Sequence, residues 1–432
     1  MTPRKHLSFE ELINDFKKAF DGYADIRREK SISYSAVDTA LSGLACMFYK
    51  SGNMVNYQKR MEERCHRNNL QTQFRVCDTP KDSQMRSIIS SIPSTTFAPV
   101  FKTYLGKLQR SKELASWQFQ ERYLAALDAT ESYSSDNIHC PQCLTQTKSN
   151  GSVRYSHKVL QPIICHPDKR HILPLMPEAI RNTDGEEKQD CEINAAYRLL
   201  PKIRATHPRM PFIWLADSLY ATAPFIKSLL AAGEDYIFRV KQGDHKKLFE
   251  AIEAAPYESL KVQTENKNTQ IAHRWYKDIP LNGSTDIKVT VIRAFAITTD
   301  KEGKQSSTTI GVWATNLTIN EGNIASVTRA ARARWKVENE CFNALKNQGY
   351  DLTHNWGHVN GECFNFYILI MLAFYIHQIL DMTCKTFQQC RVIGRTFKQF
   401  WTDMEVLFNM FLFNSWEGML DFYMDRSKKP PP

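Results

Sequence analysis

The chain has 432 residues, more than the roughly 250–300 at which a single hydrophobic core stops growing, so two or more domains are expected. Hydrophobic residues make up 42% and charged residues 24%, the ordinary balance of a soluble globular protein. The net charge of +10, from 56 Lys+Arg against 46 Asp+Glu, favours a polyanionic partner. The eleven Cys, with no secretory segment, point to a reducing cytoplasmic setting and exclude a disulfide framework.

In chain order, residues 1–118 read as a helical, basic region. Residues 1–110 hold 18 Lys/Arg and 11 Asp/Glu, a surplus of +7. Ser33–Phe48 carries apolar residues at helical spacing, and a helix over Asp82–Ser90 is expected to be capped by Thr79 or Asp82. Small basic helical regions of this kind bind DNA about as often as they serve as plain packing modules, and no decisive helix-turn-helix signal is present.

Residues 119–255 alternate between strand and helix patterns. Strands are predicted at Arg122–Asp128, Tyr155–His166, His171–Leu175, Phe212–Ala216 and Asp235–Val240. Helices are predicted at Cys191–Arg204, kinked or interrupted at Pro201, and at Ala223–Ala232, closed by Gly233. Residues 256–322 turn to Thr, Val, Ile and Asn and read as a β insertion. Its strands are Ile287–Arg293, Ala294–Thr299 and Thr308–Thr315, the last two joined by a hairpin at Asp300-Lys-Glu-Gly303. Helix returns over 323–382, and 383–432 is a mixed helical tail ending in a disordered-looking Lys-Lys-Pro-Pro-Pro-Pro. The most apolar stretch, Phe366–Leu380, is short for a bilayer and holds His377 and Gln378, so a buried helix and no membrane role are expected.

Two short apolar runs stop at a carboxylate: Tyr123–Leu127 at Asp128 and Pro211–Ala216 at Asp217. Such a run reads as a buried strand delivering the carboxylate to a sheet edge, where sites in α/β folds form. Glu338, in the helical pattern Arg334-Trp-Lys-Val-Glu338, supplies a third. Brought together, three carboxylates repel one another unless a divalent cation neutralises them, a requirement shared with two-metal phosphoryl transfer. Any one of these motifs alone is more commonly a cap or a surface salt bridge; the weight lies in their joint order.

The chain resembles insertion-sequence transposases of the DDE superfamily, in the group with a β insertion and a C-terminal Arg-x3-Glu signature. The resemblance rests on Leu127–Ser135, His139–Leu144, Gly185–Glu192, Leu215–Ala221, Phe238–His245, Val312–Leu317, Arg334–Tyr350 and His354–His358. It implies an RNase H-like α/β core interrupted by the β insertion, with helical regions on both sides. It also implies cutting of element ends and their joining to target DNA, with Mg²⁺ or Mn²⁺, two ions, held by Asp128, Asp217 and Glu338. Arg334 is expected to clamp a phosphate, and the protein to act as a homodimer on double-stranded DNA. Three positions depart from the family pattern: Ala129 stands for Gly, Ala331 for Tyr, and Leu345 for Lys. Lys346 comes one residue late, roughly 80° round an ideal helix from Glu338. Two rivals are a non-catalytic DNA-binding descendant of a transposase and a metal-dependent nuclease on the same core.

Further candidates for DNA contact are Lys346, Trp335, Trp313, Lys241 and His245, with Lys188 beside them; core packing or solvated surface is the plainer alternative for each. Cys140-Pro-Gln-Cys143 is half a zinc site, with His157 the nearest completing residue and His139, Cys165 or Cys191 as others. Free thiols in a loop are its plainer alternative.

Overall fold

This computed structural model describes residues 5–25, 27, 32–63, 68–182, 190–266, 268–282, 284–358 and 363–425. Six helices come first: α1 (Phe9–Lys18), α2 (Ala36–Phe48), α3 (Met54–Glu63), α4 (Asn69–Phe74), α5 (Asp82–Ser91) and α6 (Ala98–Arg110). Ser8 and Ser35 cap α1 and α2, accepting from the backbone N–H groups of Glu11 and Asp38. The cap expected for α5 is not made. Lys81 holds the N-cap position without a side-chain bond, and Asp82 pairs with Arg86 one turn on, at 2.7 Å.

Strands follow: β1 (Gln118–Phe119), β2 (Arg122–Ser135), β3 (Leu144–Thr147), β4 (Val153–Cys165), β5 (Leu173–Pro174) and β6 (Glu178–Ile180). Then come α7 (Glu192–Thr206), β7 (Phe212–Ala216), α8 (Ala223–Ala231), β8 (Asp235–Arg239) and α9 (Lys246–Ala254). Helix α7 runs unbroken through Pro201. Gly233 follows α8 in the left-handed region, at φ +71°, as the C-terminal stop expected of it. The next strands are β9 (Glu258–Gln263), β10 (Thr269–Leu281), β11 (Ser284–Thr299) and β12 (Gln305–Thr315). The two strands predicted at 287–299 are one, β11, with a register shift against β12 at Ala294/Phe295. The 300–303 hairpin joins β11 to β12 as read.

These strands form a mixed, 12-stranded sheet in the order β3-β4-β2-β7-β8-β12-β11-β10-β9, with β1, β5 and β6 on flanking strands. The pairs β2–β7 and β7–β8 are parallel; the remaining pairs are antiparallel. Strand β12 pairs directly with β8, so β9–β12 continue the same sheet. The chain is thus mixed α/β.

Helices α10 (Ile324–Arg332), α11 (Asn343–Asn347), α12 (Cys363–Thr383), α13 (Lys385–Ile393), α14 (Phe397–Met410) and α15 (Trp416–Met424) complete the fold. At 21 residues α12 exceeds the 366–380 stretch predicted and is long and apolar enough to cross a membrane, yet 89% of its most apolar 18-residue window is buried in protein. Asn365 donates to the carbonyls of Ile89 and Ile92 at the end of α5, and Tyr367 donates to Gln161 on β4. Helix α12 is therefore the beam between the N-terminal helices and the sheet. Phe9 stacks on Trp416 at 5.0 Å and Phe48 meets Trp401 at 5.3 Å, which closes the first helices onto the last. One connected apolar cluster runs from Leu7 to Tyr423, so the helices of 1–118 share their core with the rest of the chain. The expectation from length of separate cores is not met among the described residues. Lys188 and the C-terminal Lys-Lys-Pro run lie outside those residues.

Candidate functional site

Strand β2 does not end at Asp128, as the sequence suggested, but runs seven residues further along β4 to Ser135. What ends near Asp128 is the pairing with β7. The parallel register runs from Tyr123↔Phe212 to Ala126↔Leu215. Two residues beyond that last pair stand Asp128, still on β2, and Asp217, just past the end of β7, and both line one cleft. The 89 residues between them in sequence are closed by the parallel crossover, as the strand order predicted. Asp217 leaves β7 as the cap of a short 3₁₀ turn, its Oδ1 accepting from the N–H of Leu219 at 2.9 Å.

Glu338 reaches the same cleft from the other side. The segment after α10 is not one regular helix: a 3₁₀ turn spans Ala333–Trp335 and a π-helix spans Val337–Phe342 before α11 begins. The carbonyl of Glu338 accepts from the N–H of Asn343, five residues on. Arg334, on the 3₁₀ turn, bridges two of the acids: Nη1 donates to Asp128 Oδ2 at 2.9 Å and Nη2 to Glu338 Oε1 at 2.8 Å. Its two donor arms thus hold carboxylates here, where a phosphate was expected.

The cleft encloses about 830 Å³ and is lined by Asp128, Asp217, Glu338 and Glu340 against Arg239, Lys241, Arg329, Arg332, Arg334 and Lys336. Burial pushes the Asp128 carboxyl up to about 7 despite Arg334, with the charges of Glu338 and Asp217 adding to the rise. Glu192, the first residue of α7, is a further acid within electrostatic reach of Asp217; burial and then that charge raise its carboxyl as well. Its motif was visible in the sequence, but its approach to Asp217 depends on where α7 starts.

The DNA-contact candidates divide. Trp335 is 60% exposed at the rim of the cleft, and Lys241 is exposed on its lining. Trp313 lines the cleft but is only 3% exposed, its ring packed beneath the Arg239 guanidinium at 5.2 Å. Gly311 makes that fit: a Cβ there would collide with both Arg239 and Trp313. His245 is buried, with Nε2 on the carbonyl of Ala221 at 3.1 Å. Neither Trp313 nor His245 is presented to a ligand, because packing that no single-residue pattern reveals has enclosed them.

Lys346 is exposed, and Leu345, in the position expected for a Lys, is wholly buried. The ideal-helix reading that set Lys346 on a flank does not hold. A π-turn takes up one extra residue, so the eighth residue after Glu338 stands where the seventh would in an unbroken α-helix, about 20° from that face rather than about 80°. Lys346 is not among the residues lining the cleft.

Further along β4, away from Asp128, lies a second cluster. Cys140, Cys143, His157 and His358 bring one ligand atom each to within 4.8 Å of one another, a group that could hold a metal ion. Cys140, Cys143 and His157 were foreseen; His358 was not. The other candidates are engaged elsewhere: His139 stacks on Tyr155 at 4.2 Å, Cys165 donates to Ala333, and Cys191 precedes α7. Among the described residues the three cleft carboxylates form no comparably tight group. Comparison with protein-family models finds no match to this chain, and comparison with the curated proteins finds none either.

Proposed function

We propose that the protein is a DNA transposase of the DDE type, with an RNase H-like core made of β2, β4–β8 and their helices and a β insertion made of β9–β12. It cuts the ends of a mobile element and joins them to target DNA. The observation that carries this reading is the meeting of Asp128, Asp217 and Glu338, drawn from three distant segments, in one cleft rich in Lys and Arg. An acid group among cations suits a reaction on a phosphodiester, because the cations neutralise backbone charge while the acids remain free to bind hard metal ions.

The donor set fits Mg²⁺ or Mn²⁺: Asp128, Asp217 and Glu338 offer only carboxylate oxygens, and Asp128 is held in a half-buried position where its charge calls for a counter-ion. Bound there, such ions supply activation of water or a 3′-hydroxyl and stabilisation of the leaving oxygen. The chain's own residues do the rest. Arg334 holds Asp128 and Glu338 in place and balances their charge before metal arrives. Lys241 and Arg332, exposed on the lining, attract and position the backbone, and Trp335 offers an open ring face to an unpaired end base. Lys346, returned towards the Glu338 face by the π-turn, follows the backbone beyond the cleft.

The test is incubation of the full chain with duplexes taken from the DNA flanking its coding region, with Mg²⁺ or Mn²⁺, and with Asp217→Ala beside it. Nicking followed by joining to a second duplex, both absent in the variant, is expected. Nicking without joining would replace transposase by nuclease. Metal-independent binding with no cleavage would leave only a DNA-binding descendant.

A further inference from the structure

We propose that Cys140, Cys143, His157 and His358 form a structural zinc site, separate from the acidic cleft, that clips the loop after β2 to the segment leading into α12. The four residues come from three places: Cys140 and Cys143 from the turn before β3, His157 from β4, and His358 from the stretch before α12. None is adjacent in sequence to the cleft acids.

The geometry matches one ion. Tetrahedral arms of about 2.3 Å to sulfur and about 2.0–2.1 Å to nitrogen give edges of about 3.8 Å between sulfurs and about 3.5 Å between sulfur and nitrogen. The Sγ atoms of Cys140 and Cys143 are 3.8 Å apart. His157 Nε2 lies 3.3 Å from each of them, and His358 Nε2 lies 3.4 Å from Cys143 Sγ. At 3.8 Å the two sulfurs are far from the roughly 2.05 Å of a disulfide. Two sulfurs and two imidazole nitrogens at tetrahedral edges select zinc over the hard, oxygen-seeking ions suited to the cleft. All four positions are filled by protein, which is the closed arrangement of a structural site rather than one that keeps a place for water.

The surroundings are built to hold the ligands still. The N–H of Cys143 donates to the carbonyl of Cys140, and the N–H of Cys140 to Cys143 Sγ, which closes the turn between the two. Tyr133, on β2, packs its ring 4.5 Å from that of His358 and donates its hydroxyl to the carbonyl of Ile138. Gly357, next to His358, lets the chain lie against Phe366, where a Cβ would collide. The cross-link spans 215 residues, from Cys143 to His358, and so ties the strand that carries Asp128 to the chain leaving the Glu338 helix.

Metal analysis of the full chain, purified without chelator, tests this. About one zinc per chain is expected, released when the thiols are modified with a mercurial. Cobalt supplied during growth in place of zinc is expected to give the strong visible bands of a tetrahedral site together with thiolate-to-metal charge transfer. Cys143→Ser and His358→Ala are expected to lose at least nine-tenths of the metal, whereas Asp128→Asn and Asp217→Asn keep it. Should the cysteine and histidine variants fail to fold, the cobalt spectrum of the intact chain decides. Wild-type protein with less than a tenth of an equivalent of zinc and no tetrahedral cobalt spectrum overturns the proposal; so does zinc lost from the Asp variants and kept in the others.

Discussion

Arg334 donates to Asp128 across 206 residues of sequence, at 2.9 Å, while its other arm holds Glu338. One planar cation thus joins two carboxylates from distant parts of the chain and offsets one of their two formal charges. A divalent cation bound there, as proposed, would have to draw these acids from a partner already in place.

Arg334→Lys keeps the charge but cannot reach both acids, because an ammonium is a point donor and the guanidinium is a fork. Losing one charge-assisted hydrogen bond costs about 1.5–3 kcal/mol, so strand cleavage in single turnover on pre-bound DNA is expected to fall tenfold or more. An unchanged rate would show that Arg334 only balances charge.

The raised carboxyl of Asp128 sets a pH dependence. Half-protonated near pH 7, it competes with metal below that point. Mn²⁺ affinity, followed by titration calorimetry, is expected to weaken about tenfold for each pH unit below 7 and to level off above it. The sign for stability is opposite. With a folded value of about 7 against an ordinary 3.8, Asp128 favours the metal-free fold fully below 3.8, and that contribution is lost as pH rises through 7. Metal-free wild type should lose Tm relative to Asp128→Asn between pH 5 and 8; parallel curves would remove Asp128 from this role.

Trp313 and Trp335 should respond in opposite ways. Trp313→Ala removes a buried ring and is expected to cost about 3–5 kcal/mol in urea unfolding. Trp335→Ala is expected to leave stability within about 0.5 kcal/mol but to weaken end-DNA binding about 5–150-fold, the equivalent of one stacked base at about 1–3 kcal/mol. Equal destabilisation by both would contradict the exposure difference between them.

The π-turn gives Lys346 a test against its neighbour. Lys346→Ala is expected to slow cleavage about tenfold, the effect of one phosphate contact worth about 1.4 kcal/mol, with Asn347→Ala near wild type. If the two variants behave alike, the register correction has no functional meaning.

What the sequence disclosed was whatever depends on short runs of residues. Phe212–Ala216 is apolar throughout because β7 is covered on both faces, and its limits were legible to the residue. The outer half of β2, Ala129–Ser135, was missed because it is largely half-exposed and polar and carries no apolar run to announce it. The pairing of β2 with β7, which carries Asp128 and Asp217 into one cleft, followed from strand order. The π-turn did not, since Val337–Phe342 reads as ordinary helix and the extra residue is accommodated only where the turn packs. His358 stood in a quoted motif, yet 215 residues from Cys143 nothing local marks it as a ligand. For Trp313 core packing was the plainer reading, and its burial, which depends on Arg239 and on a glycine two residues away, agrees with it.

The position of α12 orders events on the ribosome. Helix α2 packs against α12, but α12 begins some 315 residues later (48 to 363). At about 5–20 residues per second that gap lasts about 15–60 s. During that time the N-terminal helices can pack on one another but lack the cover of α12, and that part of their apolar surface stays open to chaperones. A nascent chain interrupted before α12 would therefore be a target for proteolysis, although the residues lining the acidic cleft would all have been made.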